Sequence, residues 1–227
     1  RRSCGSGESR MDELDPEKVI PAGLVDAVAD LPYWFVIGGQ AIRCFCPYRP
    51  SRDVDFGVPT ADELDDFLRR LESRGLVEIT ERTADTAHLR FDGIKVSVFV
   101  LEKLAAHVAN RRLDTTGILA TKMHAILDRG TRRDFFDLYV MLQRHSLGIS
   151  SCLTAMRVVF AQPIDDALLL RALTFFDDAE REAPLPGEGA RDWAAVKKFF
   201  LTRVGSLLVP PARPLDIQRR VVDVRRG

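Results

Sequence analysis

Two carboxylates, Asp53 and Asp55, stand two residues apart in the stretch Asp53-Val-Asp-Phe-Gly-Val58. Residues at that spacing on a strand share one face. With Val54 and Phe56 turned to a core, both carboxylates point outward side by side, and like charges that close repel unless a cation lies between them. Hard oxygen donors suit Mg2+ (or Mn2+), which takes one or two protein carboxylates and completes its shell with phosphate and water. Upstream, the apolar run Tyr33 to Ile37 ends in Gly38-Gly39. Lacking Cβ atoms, this pair lets backbone N–H groups approach phosphate at the start of a helix. Each feature alone is commonly structural; together, in this order and led into by Arg49 and Ser51, they point to a metal-nucleotide site.

A second group of charged residues lies downstream. Lys122 sits within the otherwise apolar Ile118 to Leu127, where an ammonium either snorkels to solvent or reaches toward an anion. Arg133-Asp134-Phe-Phe-Asp137 follows, with Asp134 and Asp137 three apart on one helix face and Arg133 able to pair with a carboxylate or phosphate. The four histidines form no ligand spacing, and no Ser-His-Asp or Cys-His set is present. His88 reads as polar filler on a strand.

The elements that must position these groups follow from periodicity. Pro16 to Leu31 reads as an amphipathic helix, Tyr33 to Ile37 as a strand, Gln40 to Cys46 as a short helix, Asp53 to Val58 as the next strand. Thr60 and Glu63 form a capping box ahead of a helix running to Gly75. Alternating apolar residues from Val77 to Val100 give three strands, with Asp92-Gly93 as a hairpin turn. After Leu101 only helices are expected: Ile118 to Leu127, Phe135 to Leu142, Ser151 to Phe160, Ile164 to Phe176 and Trp193 to Leu208. The expected fold class is α/β (α+β), a small mixed-sheet core over residues 12–104 followed by an all-helical lobe over 105–209. Residues 1–11 and 210–227 read as flexible or extended tails.

At 227 residues with 46% hydrophobic content, the chain can bury a sizeable core. The formal net charge is zero, so any nucleic-acid surface must be a local patch: Arg129, Arg132 and Arg133, Arg111-Arg112, or the arginines of the tail. Four cysteines without zinc or CxxC spacing point to a reduced, cytoplasmic setting. No apolar run approaches a membrane span of about 20 residues.

Gly38-Gly39, a helix, then Arg49-x-Ser51-x-Asp53-Val-Asp55-Phe56 resembles the signature of polymerase-beta-like nucleotidyltransferases, and most of all the AbiEii/AbiGii toxin family. Lys122, Arg129 and Arg133-Asp134-Phe-Phe-Asp137-Leu-Tyr139 resemble that family's later motifs, so the likeness spans roughly residues 19–208. The resemblance implies a nucleotidyltransferase that moves an NMP from an NTP to an acceptor hydroxyl. Asp53 and Asp55 would be the metal ligands. Asp53, Asp55, Lys122, Asp134 and Asp137 would form the catalytic set, and Gly38, Gly39, Arg49, Ser51, Lys122 and Arg133 the nucleotide-binding set. It further implies a bacterial toxin with a cognate antitoxin, in toxin–antitoxin or phage-defence biology, with tRNA as a candidate acceptor. One position departs from the pattern. Ser97 stands on the strand where a third carboxylate is expected, which leaves the acceptor to Asp134 or Asp137, or else leaves a catalytically reduced nucleotide-binding or protein-interaction module.

Overall fold

The computed structural model describes residues 13–51, 53–161 and 164–208. The tails read over residues 1–11 and 210–227, with the arginines of the latter, lie outside them. A seven-stranded mixed sheet is built from β1 (Phe35–Val36), β2 (Val54–Val58), β3 (Val77–Arg82), β4 (Thr86–Phe91), β5 (Ile94–Val100), β6 (Val108–Ala109) and β7 (Arg112–Leu113), in the order β3-β4-β5-β2-β1-β7-β6. The pairs β2/β5 and β1/β7 are parallel, and the other neighbours are antiparallel. The helices are α1 (Ala22–Val28), α2 (Gly38–Phe45), α3 (Ala61–Glu72), α4 (Thr115–Asp128), α5 (Arg132–Arg144), α6 (Ile149–Phe160), α7 (Asp166–Ala172), α8 (Asp177–Arg181) and α9 (Asp192–Leu208). The fold class is the mixed α/β arrangement expected.

Local chemistry explains most boundaries. The hydroxyl of Thr60 accepts the Glu63 N–H and the Glu63 carboxylate accepts the Thr60 hydroxyl at 2.9 Å, so the capping box starts α3. The helix expected over Pro16 to Leu31 is divided: a 3-10 turn covers Pro16–Lys18 and α1 begins after Pro21. Proline lacks the N–H that a continuous helix needs and its ring obstructs the carbonyl four residues back. Val19, Ile20, Leu24 and Val28 are nonetheless all buried, which is what the periodicity reported.

One expectation needs correction. Strands do occur after Leu101, because Val108–Leu113 forms a hairpin that extends the sheet beside β1, past residue 104. Its turn residues Asn110 and Arg111 both have positive φ. Two-residue strands are too short to show alternation, and Asn-Arg lacks the glycine that advertises such a turn.

The order of strands puts β2 at the centre. Val54, Phe56 and Val58 are fully buried, with Phe56 packed at 5.0 Å between ring centroids on Phe67 of α3. Asp55 therefore lies on the opposite face of β2. The carboxy-terminal helices share a core in which Phe135 meets Phe176, Trp193 and Phe200.

Candidate active site

The two glycines do what glycine alone permits. Gly38 has φ +59°, and a Cβ there would come within 2.5 Å of an Asp55 carboxylate oxygen. A Cβ on Gly39 would meet the Ser51 hydroxyl at 2.6 Å. The amino terminus of α2 is thus pressed directly against Asp55 and Ser51. Asp53 sits just before β2, its carbonyl accepting from buried Gln40 at 3.2 Å and from Ser51 at 3.3 Å, while its half-exposed carboxylate faces Lys95 at 3.7 Å.

Asp55 is in register with Ser97 on β5, and Ser97 with His88 on β4. The Ser97 hydroxyl bonds the Asp55 carboxylate, and His88 Nδ1 lies 3.0 Å from the same oxygen of Ser97. A polar row of Asp55, Ser97 and His88 therefore runs across three strands on one face. Burial pushes the Asp55 carboxyl above its ordinary range and the charge of Asp53 adds to this; Ser97, Lys122 and Arg133 pull the other way. Asp55 is consequently a carboxylate whose charge is incompletely compensated by the protein.

The downstream residues form a separate, saturated network. The Asp137 carboxylate is fully buried and accepts from Tyr48 Oη at 2.5 Å, Arg49 Nε at 3.0 Å and Nη2 at 2.7 Å, and Lys122 Nζ at 2.7 Å. Asp134, equally buried, accepts from Arg129 Nε at 2.9 Å and Nη2 at 3.2 Å, from the Thr131 hydroxyl at 2.5 Å, and from Lys122 at 3.4 Å. Burial would raise both carboxyls, but for Asp134 the Arg129 bonds and the Lys122 charge, and for Asp137 the charges of Lys122 and Arg49, hold them well below the usual range. Held charged and closed to solvent, neither is placed to take a proton from an acceptor hydroxyl.

The structure brings the site residues together in two layers. Gly38, Gly39, Asp53, Asp55 and Ser51 form the first. Lys122, Asp134, Asp137 and Arg49 form the second, with Arg49 reaching from the loop between α2 and β2, past Gly39, to Asp137 of α5. The layers sense one another: Lys122 and Arg133 act on Asp55, and Asp55 acts on Arg129. Arg133 is exposed on the first turn of α5. Other basic candidates are spent on structure. Arg132 is buried against Glu188 and lies over Trp193, Arg111 bonds Glu17 and lies over Trp34, and Arg112 pairs with Glu13.

Sequence reading passed over His88. The signal was there: a two-residue Asp92-Gly93 turn pairs Phe91 with Ile94, and counting back along the hairpin sets His88 opposite Ser97.

The donor set suits a hard divalent cation. Asp53 and Asp55 offer carboxylate oxygens, Asp55 carries charge the protein leaves under-compensated, and the space at Gly38 that a Cβ would fill borders the Asp55 oxygen. Among the described residues no group of three or more His, Cys, Asp or Glu side chains could cage a metal. A two-carboxylate site sharing its cation with a phosphate ligand is the arrangement Mg2+ tolerates best.

Residues 111–211 match the family model described as nucleotidyl transferase AbiEii toxin, type IV toxin–antitoxin system. That stretch holds Lys122, Asp134 and Asp137 and stops short of the Asp53/Asp55 motif. The chain is 26% identical over 205 residues to the uncharacterized protein aq_aa25 of Aquifex aeolicus (strain VF5), covering 85% of this chain and 93% of that protein. Among solved structures it is similar to MenT4, a nucleotidyltransferase toxin from Mycobacterium tuberculosis H37Rv, at 16% identity and a TM-score of 0.45, over 84% of this chain and 82% of that one. It is also similar to JHP933 from Helicobacter pylori, at 18% identity and a TM-score of 0.42, over 88% and 97% of the two chains.

Proposed function

We propose that this protein, whose residues 111–211 match the model of the nucleotidyl transferase AbiEii toxin family, is an enzyme that transfers an NMP from an NTP to an acceptor hydroxyl, with Mg2+ held by Asp53 and Asp55. The observation that carries this reading is the contact of Asp55 with the Gly38-Gly39 start of α2, opposite the cations of α4 and α5. A divalent cation bound there would screen the triphosphate and polarise the phosphorus under attack. The α2 N–H groups approach phosphate without side-chain obstruction. Exposed Arg133 adds positive charge that acts on Asp55, and Ser97 hydrogen-bonds the Asp55 carboxylate. Arg49, through Asp137, locks the loop that delivers Ser51 and Asp53. Such catalysis is mostly positioning and charge stabilisation.

The acceptor we favour is tRNA, and the setting a cytoplasmic toxin with a cognate antitoxin, in keeping with the type IV toxin–antitoxin description of the matched family. No helix among the described residues is long and apolar enough to cross a membrane. A second reading, a nucleotide-binding module with reduced catalysis, draws on one observation: Ser97, not a carboxylate, stands in register with Asp55. The deciding experiment incubates the protein with each labelled NTP, Mg2+ and bulk tRNA. Label on RNA establishes transfer. Stabilisation by Mg-NTP without transfer to RNA or protein establishes the second reading, and a protein that shows neither transfer nor stabilisation refutes both.

A further inference from the structure

Lys122 is the cation that the sequence places against the phosphates, but its surroundings leave it little to give. Its side chain is 6% exposed, and its ammonium is committed to Asp137 at 2.7 Å and Asp134 at 3.4 Å. Both carboxylates are fully buried. Drawing Lys122 toward a nucleotide would take a shared counter-ion from two buried anions at once. Arg129, at the end of α4, is built the opposite way. Its Nε and Nη2 grip Asp134 at 2.9 and 3.2 Å, yet its side chain is 54% exposed and it feels the charge of Asp55.

We infer that Arg129, oriented by Asp134, is the residue that binds the nucleotide's phosphates, and that Lys122 is the internal counter-ion of Asp134 and Asp137. This deepens, and rests on, the nucleotidyltransferase reading. A guanidinium carries more donors than the two gripping Asp134 use, and their fixed fork suits phosphate oxygens. Anchoring through Nε removes most of the side-chain freedom that would otherwise oppose binding. Asp134 thereby acts as a positioning residue. It fixes Arg129 at the protein surface, within reach of the charge of Asp55, and Thr131, which donates to the same carboxylate, holds Asp134 in place. Anionic phosphate entering between the Asp55-bound cation and Arg129 meets positive charge on both sides.

The test measures Mg-NTP binding by calorimetry and thermal shift, with the four ribonucleoside triphosphates and with Mg-pyrophosphate, on wild type, Arg129→Ala, Arg129→Lys and Lys122→Met. Arg129→Ala is expected to lose at least about tenfold in affinity, as removal of a charged hydrogen-bonding partner implies. Arg129→Lys, which keeps the charge but not the fork, falls between Ala and wild type. Lys122→Met is expected to melt lower without ligand, while its folded fraction loses less affinity than Arg129→Ala, since Lys122 acts on the phosphates only through Asp134 and Asp55. Arg129→Ala binding as tightly as wild type would overturn the inference and leave the nucleotidyltransferase reading standing. So would a folded Lys122→Met that loses affinity as Arg129→Ala should. If Lys122→Met does not fold, the Arg129 variants decide alone. A wild type that binds no Mg-NTP or Mg-pyrophosphate sinks both.

Discussion

Burial opposes the charged form of Asp55, and the sign of that effect on stability can be checked. Burial raises its pKa, so its contribution to stability is fully present below the unfolded carboxyl value of about 3.9 and is lost as pH rises through the folded value. At neutral pH without metal, Asp55→Asn should therefore melt at the same temperature as wild type or higher, while its gain from Mg-NTP disappears. Asp53 is more exposed and, among the described residues, paired with an exposed lysine, so Asp53→Asn should leave the ligand-free melting temperature nearly unchanged and still abolish the Mg-NTP shift. Asp→Asn variants that melt several degrees lower would show a structural pair instead. Ser97→Ala removes the hydrogen bond that favours the charged Asp55. It should raise the Asp55 pKa further and weaken Mg2+ binding, read by carboxyl NMR titration in the absence of metal. An unshifted Asp55 resonance would detach Ser97 from the site.

Among the elements, the helix starts matter most. Gly38 combines left-handed backbone with the carboxylate contact, so Gly38→Ala should cost about 1–2 kcal/mol from conformation alone and more from the contact. Denaturant unfolding measures the first, and loss of Mg-NTP stabilisation registers the second. At α5, Thr131 caps the helix through the Asp134 N–H and also donates to the Asp134 carboxylate. Thr131→Ala should cost about 1 kcal/mol as a lost cap. Thr131→Ser should restore it. Asp114 plays the matching part for α4, accepting the Gly117 N–H at 2.7 Å, and so fixes the register that turns Lys122 inward.

Across the whole molecule, the Tyr48, Arg49, Asp137, Lys122, Asp134 and Arg129 network ties the loop before β2 to α4 and α5, and with it the sheet to the helices. Its two carboxyls are held below their ordinary range. The unfolded chain therefore binds more protons in the acid range, and the network's contribution is present above about pH 3.9 and lost as pH falls below that value. This slope is opposite in sign to that of Asp55. Unfolding free energy measured from pH 7 to pH 2 should show the acid loss in wild type and less of it in Asp137→Asn. That variant should itself be less stable by about 3–5 kcal/mol, the cost of breaking a buried pair. Equal acid slopes in the two proteins would dissociate the network from acid unfolding.

Patterns of near neighbours settled much of this protein in one dimension. The Gly38-Gly39 helix start, the Thr60 capping box and the Asp92-Gly93 hairpin act over a few residues, and each appears where the chain alone places it; Asp53, read as the first residue of a strand, falls just before β2, which begins at Val54. Hydrophobic period likewise located α3 through α6 and α9 and the four longer strands. Tertiary structure decided what single-chain periodicity does not encode. It paired β2 in parallel with β5 across the intervening α3 and the β3/β4 hairpin, which set Ser97 beside Asp55 and His88 beside Ser97. It recruited Val108–Leu113 as strands because an open edge beside β1 needed partners for its backbone groups. It also divided the cations by surroundings: Lys122, Arg49 and Arg132 are buried with carboxylates, while Arg129 and Arg133 reach the surface near Asp55. Residue type gives a side chain its charge; only packing determines whether that charge is already neutralised by the protein or left for a ligand.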